Sequence, residues 1–286
     1  MKVELIDSVE EFIALSASFR ATDPLRTNVI GSVSLAVATG RATYDDYHWW
    51  IVRGDDDEVV GVAMRTSPFN MVIAPMPIDA VRALGRSVGQ SDDALPGLAG
   101  SRDVVDAFVE GYVESKSAGS RRVLAQERRD LLYELEELIT PDVEGWGRPA
   151  RAEEIDVLTE MFAQFWREVE AAPLSPTDAH NGVRKSVTDG RLFCWEMDSD
   201  IVALAGHAPI ITTEAITIGR IGPVFTPPEF RRRGFGAAVT AYVTRQLIEE
   251  GARVMLFTDA ANPTSNGIYQ AIGFRLVDEV IQTHFA

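Results

Sequence analysis

Apolar residues recur at helical spacing at Ile155, Leu158, Met161, Phe162, Phe165, Trp166 and Val169, which predicts an amphipathic helix over residues 153–169. A weaker helical stretch ends near Gly190. The period then changes. Residues 191–197 and 201–208 are short runs rich in branched and aromatic side chains, and Asp198-Ser199-Asp200 between them marks the turn of a β-hairpin. Residues 215–225 read as a third strand, ended by Thr226-Pro227-Pro228 because proline cannot donate to a central ladder. Residues 236–250 form an amphipathic helix with Gly251 beyond its end. Residues 254–257 are a short buried strand. Residues 263–272 are a helix with Asn262 as N-cap, Pro263 at the first helical position and Gly273 after the last, and residues 274–280 are a final strand. This order predicts a mixed α/β layer around one sheet.

The first half has a similar cadence. Residues 3–6 read as a strand and 9–19 as a helix. Residues 47–52 and 58–64 form a hairpin around Gly54-Asp55-Asp56-Asp57, residues 69–74 another strand, and 78–89 and 104–114 two helices. A second copy of one fold is expected, although the halves barely match in sequence. Residues 140–149 follow a strand-like segment and carry Pro and Gly punctuation, so they read as a break. The expected domains are residues 1–145 and 146–286.

Composition narrows the setting. With 46% apolar, 24% charged and 8% aromatic residues the chain is of ordinary globular type. No apolar run approaches the ~20 residues of a membrane span, and Glu4 is too early an acid for a secretory signal. Cys194 is the only cysteine, which excludes an intrachain disulfide and a cysteine-based metal site and fits a reducing cytoplasm. The four histidines show no ligand spacing. A formal net charge of −16 argues against nucleic-acid partners and makes the cluster Arg231-Arg232-Arg233 stand out.

That cluster continues into Gly234-Phe235-Gly236, between a strand and a helix. Glycines there let the backbone approach a ligand, and the helix directs free N–H groups and its positive dipole end at the turn, an arrangement suited to a diphosphate. Arginines add charge to such a site, and one could reach a further phosphate. A solvated basic turn is the plainer reading. A dinucleotide fingerprint is another, with Asp259 at the end of the next strand. Against it, Val239 holds the third glycine position and too little chain remains for a doubly wound sheet. A nucleoside-triphosphate loop fails because no Gly-Lys-Ser/Thr follows.

Arg231, Gly234 and Gly236 also fit the phosphate-loop pattern of the GCN5-related N-acetyltransferase (GNAT) superfamily. The segment from Asn262 through Ser265 and Tyr269 to Gly273-Phe274 resembles that family's second signature. Residues 147–286 carry the resemblance. The wording Val224-Phe225-Thr226-Pro227-Pro228 resembles a bacterial subgroup with two such domains in tandem. The resemblance implies two acetyltransferase-like domains, the first degenerate, since Pro75-Met76-Pro77 stands where its loop would be. It implies an N-acetyltransferase that moves an acetyl group from acetyl-coenzyme A to a small-molecule or peptide amine. In that scheme Val224 and Phe225 offer backbone groups to the pantetheine arm. The amides of Arg232, Arg233, Gly234, Phe235, Gly236 and Ala237 take the diphosphate. Asn262 and Ser265 line the far side of the coenzyme, and Tyr269 is the general acid.

The base stays open among Glu196, His207, Glu214, Asp259 and the terminal carboxylate of Ala286. His207 reads first as a core histidine and Asp259 as a cap of the Asn262 turn. Phe165, Trp166 and Glu168 are candidate acceptor-lining residues, with Phe165 reading first as core. A module that senses acyl-coenzyme A without catalysis is the alternative. The acceptor and the oligomeric state are left open.

Overall fold

The computed structural model describes residues 1–91, 95–115, 124–169, 175–213 and 216–285. The chain forms two compact units. One comprises Met1–Leu131 with Asp259–Ala261 and Asp278–Ala286; the other comprises Leu132–Thr258 with Asn262–Val277. The main segment of the first unit ends at Leu131, and the segment Asp278–Ala286 belongs to that unit. The physical reason lies in strand pairing. Residues 140–149 are not a linker, because Trp146–Pro149 is itself a strand. At the other end, Ile281–His284 pair with a strand of the first unit.

The first unit holds β1 (Lys2–Ile6), α1 (Val9–Thr22), α2 (Asn28–Ala38), β2 (Tyr47–Arg53), β3 (Val59–Thr66), β4 (Met71–Ile73), α3 (Ile78–Gly89), β5 (Gly97–Gly100), α4 (Arg102–Ser115) and the start of β6 (Leu124–Leu135). β1 to β4 pair antiparallel in sequence, and β4 pairs parallel with β5. Strand β2 is buried on both faces. Trp49 and Ile51 pack with Phe12 and Ile30, while Trp50 and Val52 pack with Leu84 and Phe108. Side-chain alternation sends neighbours to opposite faces, so the strand reads as a continuous apolar run.

Sequence reading missed α2 and β5 here. Helix α2 buries Asn28, Ser32 and Ser34 along with Ile30, so its inner face is not apolar in pattern. β5 is Gly-Leu-Ala-Gly, and a Cβ at Gly97 would lie 1.9 Å from the Thr283 carbonyl oxygen. Close approach of the last strand, not strand propensity, determines that residue.

The second unit holds β7 (Trp146–Pro149), a 3₁₀ turn (Ala152–Glu154), α5 (Ile155–Glu168), α6 (Pro176–Thr188), β8 (Leu192–Met197), β9 (Asp200–His207), β10 (Ile211–Thr212), β11 (Thr217–Phe225), α7 (Phe235–Glu249), β12 (Arg253–Asp259), α8 (Pro263–Ala271) and the start of β13 (Phe274–Phe285). Neighbouring strands run β7-β8-β9-β11-β12, with β10 beside β11. The β8–β9 hairpin turns through Asp198 and Ser199 at φ +50° and +72°, the left-handed conformations that match strand twist. The stripe of α5 packs Leu158, Met161, Phe162 and Phe165 on Leu192, Cys194, Leu204 and Phe225. Arg148 on β7 donates to Glu154 (2.6 Å) and Glu196 (2.5 Å), all three largely buried, and the Glu154 bond leads in raising its pKa.

Gly273, placed after α8 by the sequence, sits at φ +102°, and a Cβ there would fall 1.8 Å from the Glu137 carbonyl oxygen. Gly273→Ala is therefore expected to lower stability by about 1–3 kcal/mol or more, read from the midpoint of denaturant unfolding.

Candidate functional site

The site begins where two parallel strands separate. β11 pairs with β12 from Ile218↔Arg253 to Ile221↔Leu256, and the ladder stops there. β11 continues to Phe225 and β12 to Asp259. On its other side β11 stays paired with β9 through Val224↔Ala205 and Phe225↔Leu204, after a register shift between Ile221 and Val224. The edge of residues 222–225 that faces away from β9 is thus not engaged by β12. A crevice outside the carboxyl ends of parallel strands is where open α/β sheets bind ligands. Gly222-Pro223 inside a strand was a sequence sign of this bulge that went unread.

The turn leaving β11 leads to the amide cradle. After a 3₁₀ turn at Pro228–Phe230, Arg231 is extended and its amide donates to Pro228 at 3.3 Å. Arg232 and Gly234 are left-handed, at φ +63° and +85°, and α7 starts at Phe235. A change of hand between Gly234 and Phe235 is the backbone pattern of an anion-binding nest. The first capped amide is that of Ala238, bonded to the Gly234 carbonyl at 3.0 Å. Among the described residues, the amides of Arg232, Arg233, Gly234, Phe235, Gly236 and Ala237 have no protein acceptor. The first turn of α7 carries no acid of its own to offset the positive end of the helix.

Two glycines shape this cradle differently. A Cβ on Gly234 would meet Val143 Cγ2 at 2.9 Å, and its φ disfavours side chains. A Cβ on Gly236 would meet only Thr226 Oγ1, at 3.3 Å. Val143, beneath the loop, carried no sequence signal.

The arginines divide in role. Arg231 is engaged away from the cradle: Nη2 donates to both Glu168 oxygens (2.6 and 2.7 Å) and Nε to the Thr226 carbonyl (2.8 Å). Arg233 lies over the Phe235 ring, 4.8 Å from its centroid, and donates to Met197 Sδ. Arg232 is exposed.

α8 leaves the end of β12. Asn262 Oδ1 accepts the Ser265 amide at 3.0 Å, an N-cap as the sequence indicated, so the Ser265 amide is already bonded within the protein. Asn262→Ala should lower stability by about 1 kcal/mol in a thermal or denaturant melt. Tyr269 is 8% exposed, with its ring edge-on to Phe274 at 6.3 Å. Its hydroxyl makes no hydrogen bond to another described residue. Burial pushes its pKa up to about 12.

The candidate bases fare unevenly. Glu196 is held by Arg148. His207 is buried, stacks on Phe193 and donates Nδ1–H to the Ala208 carbonyl (2.9 Å), and burial is the leading cause that lowers its pKa, so it is a neutral core histidine. Asp259 accepts the Ala261 amide at 2.7 Å, the capping role. Glu214 and Ala286 lie outside the described residues. Phe162, Phe165 and Trp166 form a cluster of edge-to-face and stacked rings on α5.

The first unit has β4 parallel to β5 as β11 is to β12, but no equivalent cradle among the described residues. Pro75 and Pro77 carry no N–H, and Met76 lies against Gly61, where a Cβ would meet its sulfur at 2.3 Å.

The second unit is a mixed α/β unit whose parallel strands β11 and β12 part beside the N-terminus of α7. Residues 202–282 match the family model described as FR47-like protein. The whole chain is similar in structure to a GNAT-family acetyltransferase from Colwellia psychrerythraea, 12% identical, with 100% of both chains covered and a TM-score of 0.66. It is also similar to a GCN5-related N-acetyltransferase from Sphaerobacter thermophilus: 13% identity, 99% and 95% coverage, TM-score 0.62. A third likeness is to a tandem GNAT protein from the clavulanic acid biosynthesis pathway, with 13% identity, 99% and 98% coverage and a TM-score of 0.54. No curated protein matches the sequence. The fold of this chain is that of the GCN5-related N-acetyltransferases, in tandem form.

Proposed function

We propose that the second unit is an N-acetyltransferase that moves an acetyl group from acetyl-coenzyme A directly to a primary amine. The observation that carries this reading is the row of unengaged amides at residues 232–237, ahead of a helix with no acid in its first turn. Unengaged amide donors and a helix dipole suit the charge of a diphosphate. The pantetheine arm then lies in the crevice between β11 and β12, where the backbone of Val224 and Phe225 receives it and the thioester. The first unit, without donors at Pro75 and Pro77, supports the fold and binds no coenzyme.

Chemistry follows from that placement. A neutral amine attacks the thioester carbonyl, the carbon–nitrogen bond forms, and the tetrahedral oxyanion collapses with loss of the coenzyme thiolate. The thiolate takes the proton of Tyr269, and the amine's excess proton passes to water, from which the Tyr269 phenolate is reprotonated. A phenol held at about 12 stays protonated at neutral pH and can donate. A covalent acyl-cysteine is disfavoured, because Cys194 is fully buried and desolvation pushes its thiol up to about 12. Holding both reactants in register is the largest contribution asked of the protein.

A thiol-release assay with acetyl-coenzyme A and a diverse amine panel tests the reading. Amine-dependent release of thiol supports it. Tight coenzyme binding with no release to any amine would replace the enzyme by a sensing module.

A further inference from the structure

One side chain joins three parts of the second unit. Arg231 bonds Glu168, the last residue of α5, through Nη2 at 2.6 and 2.7 Å. It bonds the Thr226 carbonyl through Nε at 2.8 Å, and its guanidinium lies 5.6 Å from the centroid of the Phe225 ring at the end of β11. The residue after it is the left-handed Arg232, where the row of unengaged amides begins.

We propose that Glu168 is a positioning residue of the coenzyme site: acting through Arg231, it fixes the entry of the phosphate loop and ties it to the helix on the acceptor side. The proposal rests on the coenzyme reading above. The ion pair is 40% and 47% exposed, and a pair so exposed contributes little to folding. Its effect is on direction. The direction of the amides of residues 232–237 depends on the angle at which the chain enters the loop at Arg231, after the 3₁₀ turn, and the Thr226 and Glu168 bonds hold that angle from two sides. A loop held in its binding shape before the ligand arrives loses less freedom on binding. Phe165 and Trp166 stand on the same helix just before Glu168, so disturbing the pair shifts the acceptor-side aromatics together with the loop.

The rival reading makes Arg231 a phosphate ligand that Glu168 occupies in competition. The two differ in sign. Coenzyme A is titrated by calorimetry into the full chain and into Glu168→Ala, Glu168→Gln, Arg231→Gln and the Glu168→Ala/Arg231→Gln double variant, at two salt concentrations. Positioning gives a loss of affinity of about fivefold for Glu168→Ala and for Arg231→Gln, the size expected for residues coupled in one contact. The double variant is no weaker than either single one. The salt dependence keeps the wild-type slope, and Glu168→Gln, which retains an acceptor for Nη2, falls between. The kinetic signature is a rise in KM for both coenzyme and amine with kcat little changed.

Tighter binding by Glu168→Ala, or a shallower salt slope in Arg231→Gln, would assign Arg231 to the phosphates and overturn the proposal. Unchanged affinity in every variant, with a wild-type chain that binds, would overturn it alone. A wild-type chain that binds no coenzyme A would remove the coenzyme reading and the proposal together.

Discussion

Tyr269→Phe lowers the turnover of acetyl-coenzyme A by about 10²–10⁴-fold, the range for loss of a positioned general acid, and leaves coenzyme affinity within about twofold of wild type. The change removes one oxygen and keeps the ring that packs on Phe274. Because the hydroxyl bonds no other described residue, its loss breaks no internal network. The pH profile carries the sharper information. Burial disfavours the phenolate, so the folded-state pKa stands at about 12, above the ordinary 10.0. The acid form persists as pH rises, and activity climbs as the amine loses its proton, with no falling limb from Tyr269 below about 12. The same shift works against folding in strong alkali. The unfolded chain ionises near 10.0 while the folded chain does not, so stability contributed by the buried phenol is lost as pH rises from 10.0 toward 12. Stopped or initial-rate assays across pH check the first point. Full activity of Tyr269→Phe at every pH would end the acid assignment.

Gly234→Val is expected to weaken coenzyme A binding by roughly 100-fold or more, from two effects of about 1–3 kcal/mol each. A branched side chain opposes φ +85°, and its Cβ would press on Val143 Cγ2 at 2.9 Å. Either the loop opens or Val143 moves, and in both cases the amides lose their common focus. Gly236→Ala is the matched control, because its Cβ meets only the Thr226 hydroxyl, at 3.3 Å, a group able to rotate away. Its affinity should fall by less than about tenfold. Calorimetry on both variants, with unfolding curves to confirm that each is folded, compares the two glycines directly.

Much of the second unit was legible because its local signals agree with its fold. Asn262 and Pro263 opened α8 as capping rules require, and the Asp198-Ser199-Asp200 turn set the β8–β9 hairpin. The turn into α7 was legible for the same reason: glycine at residue 234 and a helix start at residue 235 are local properties. Elements decided by tertiary approach were not legible. β5 exists because Gly97 admits the Thr283 carbonyl, and β7 exists because Trp146–Pro149 completes the edge of β8, though its own Gly and Pro read as a break. In the site, the Arg231–Glu168 pair and Val143 beneath Gly234 join residues far apart in sequence, and no periodicity reports such contacts. His207 and Asp259 show the converse, since the plainer reading of each, as core histidine and turn cap, is the one their hydrogen bonds support.

The central claim is that a diphosphate seats on the backbone N–H groups of residues 232–237. Backbone amide shifts of isotope-labelled full-length protein, followed during titration with coenzyme A, report on those groups one by one. Large, saturable shifts at Gly234, Phe235, Gly236 and Ala237, with smaller ones at Val224 and Phe225, are the expected result. Shifts confined to other residues, or none at saturating coenzyme, would contradict it.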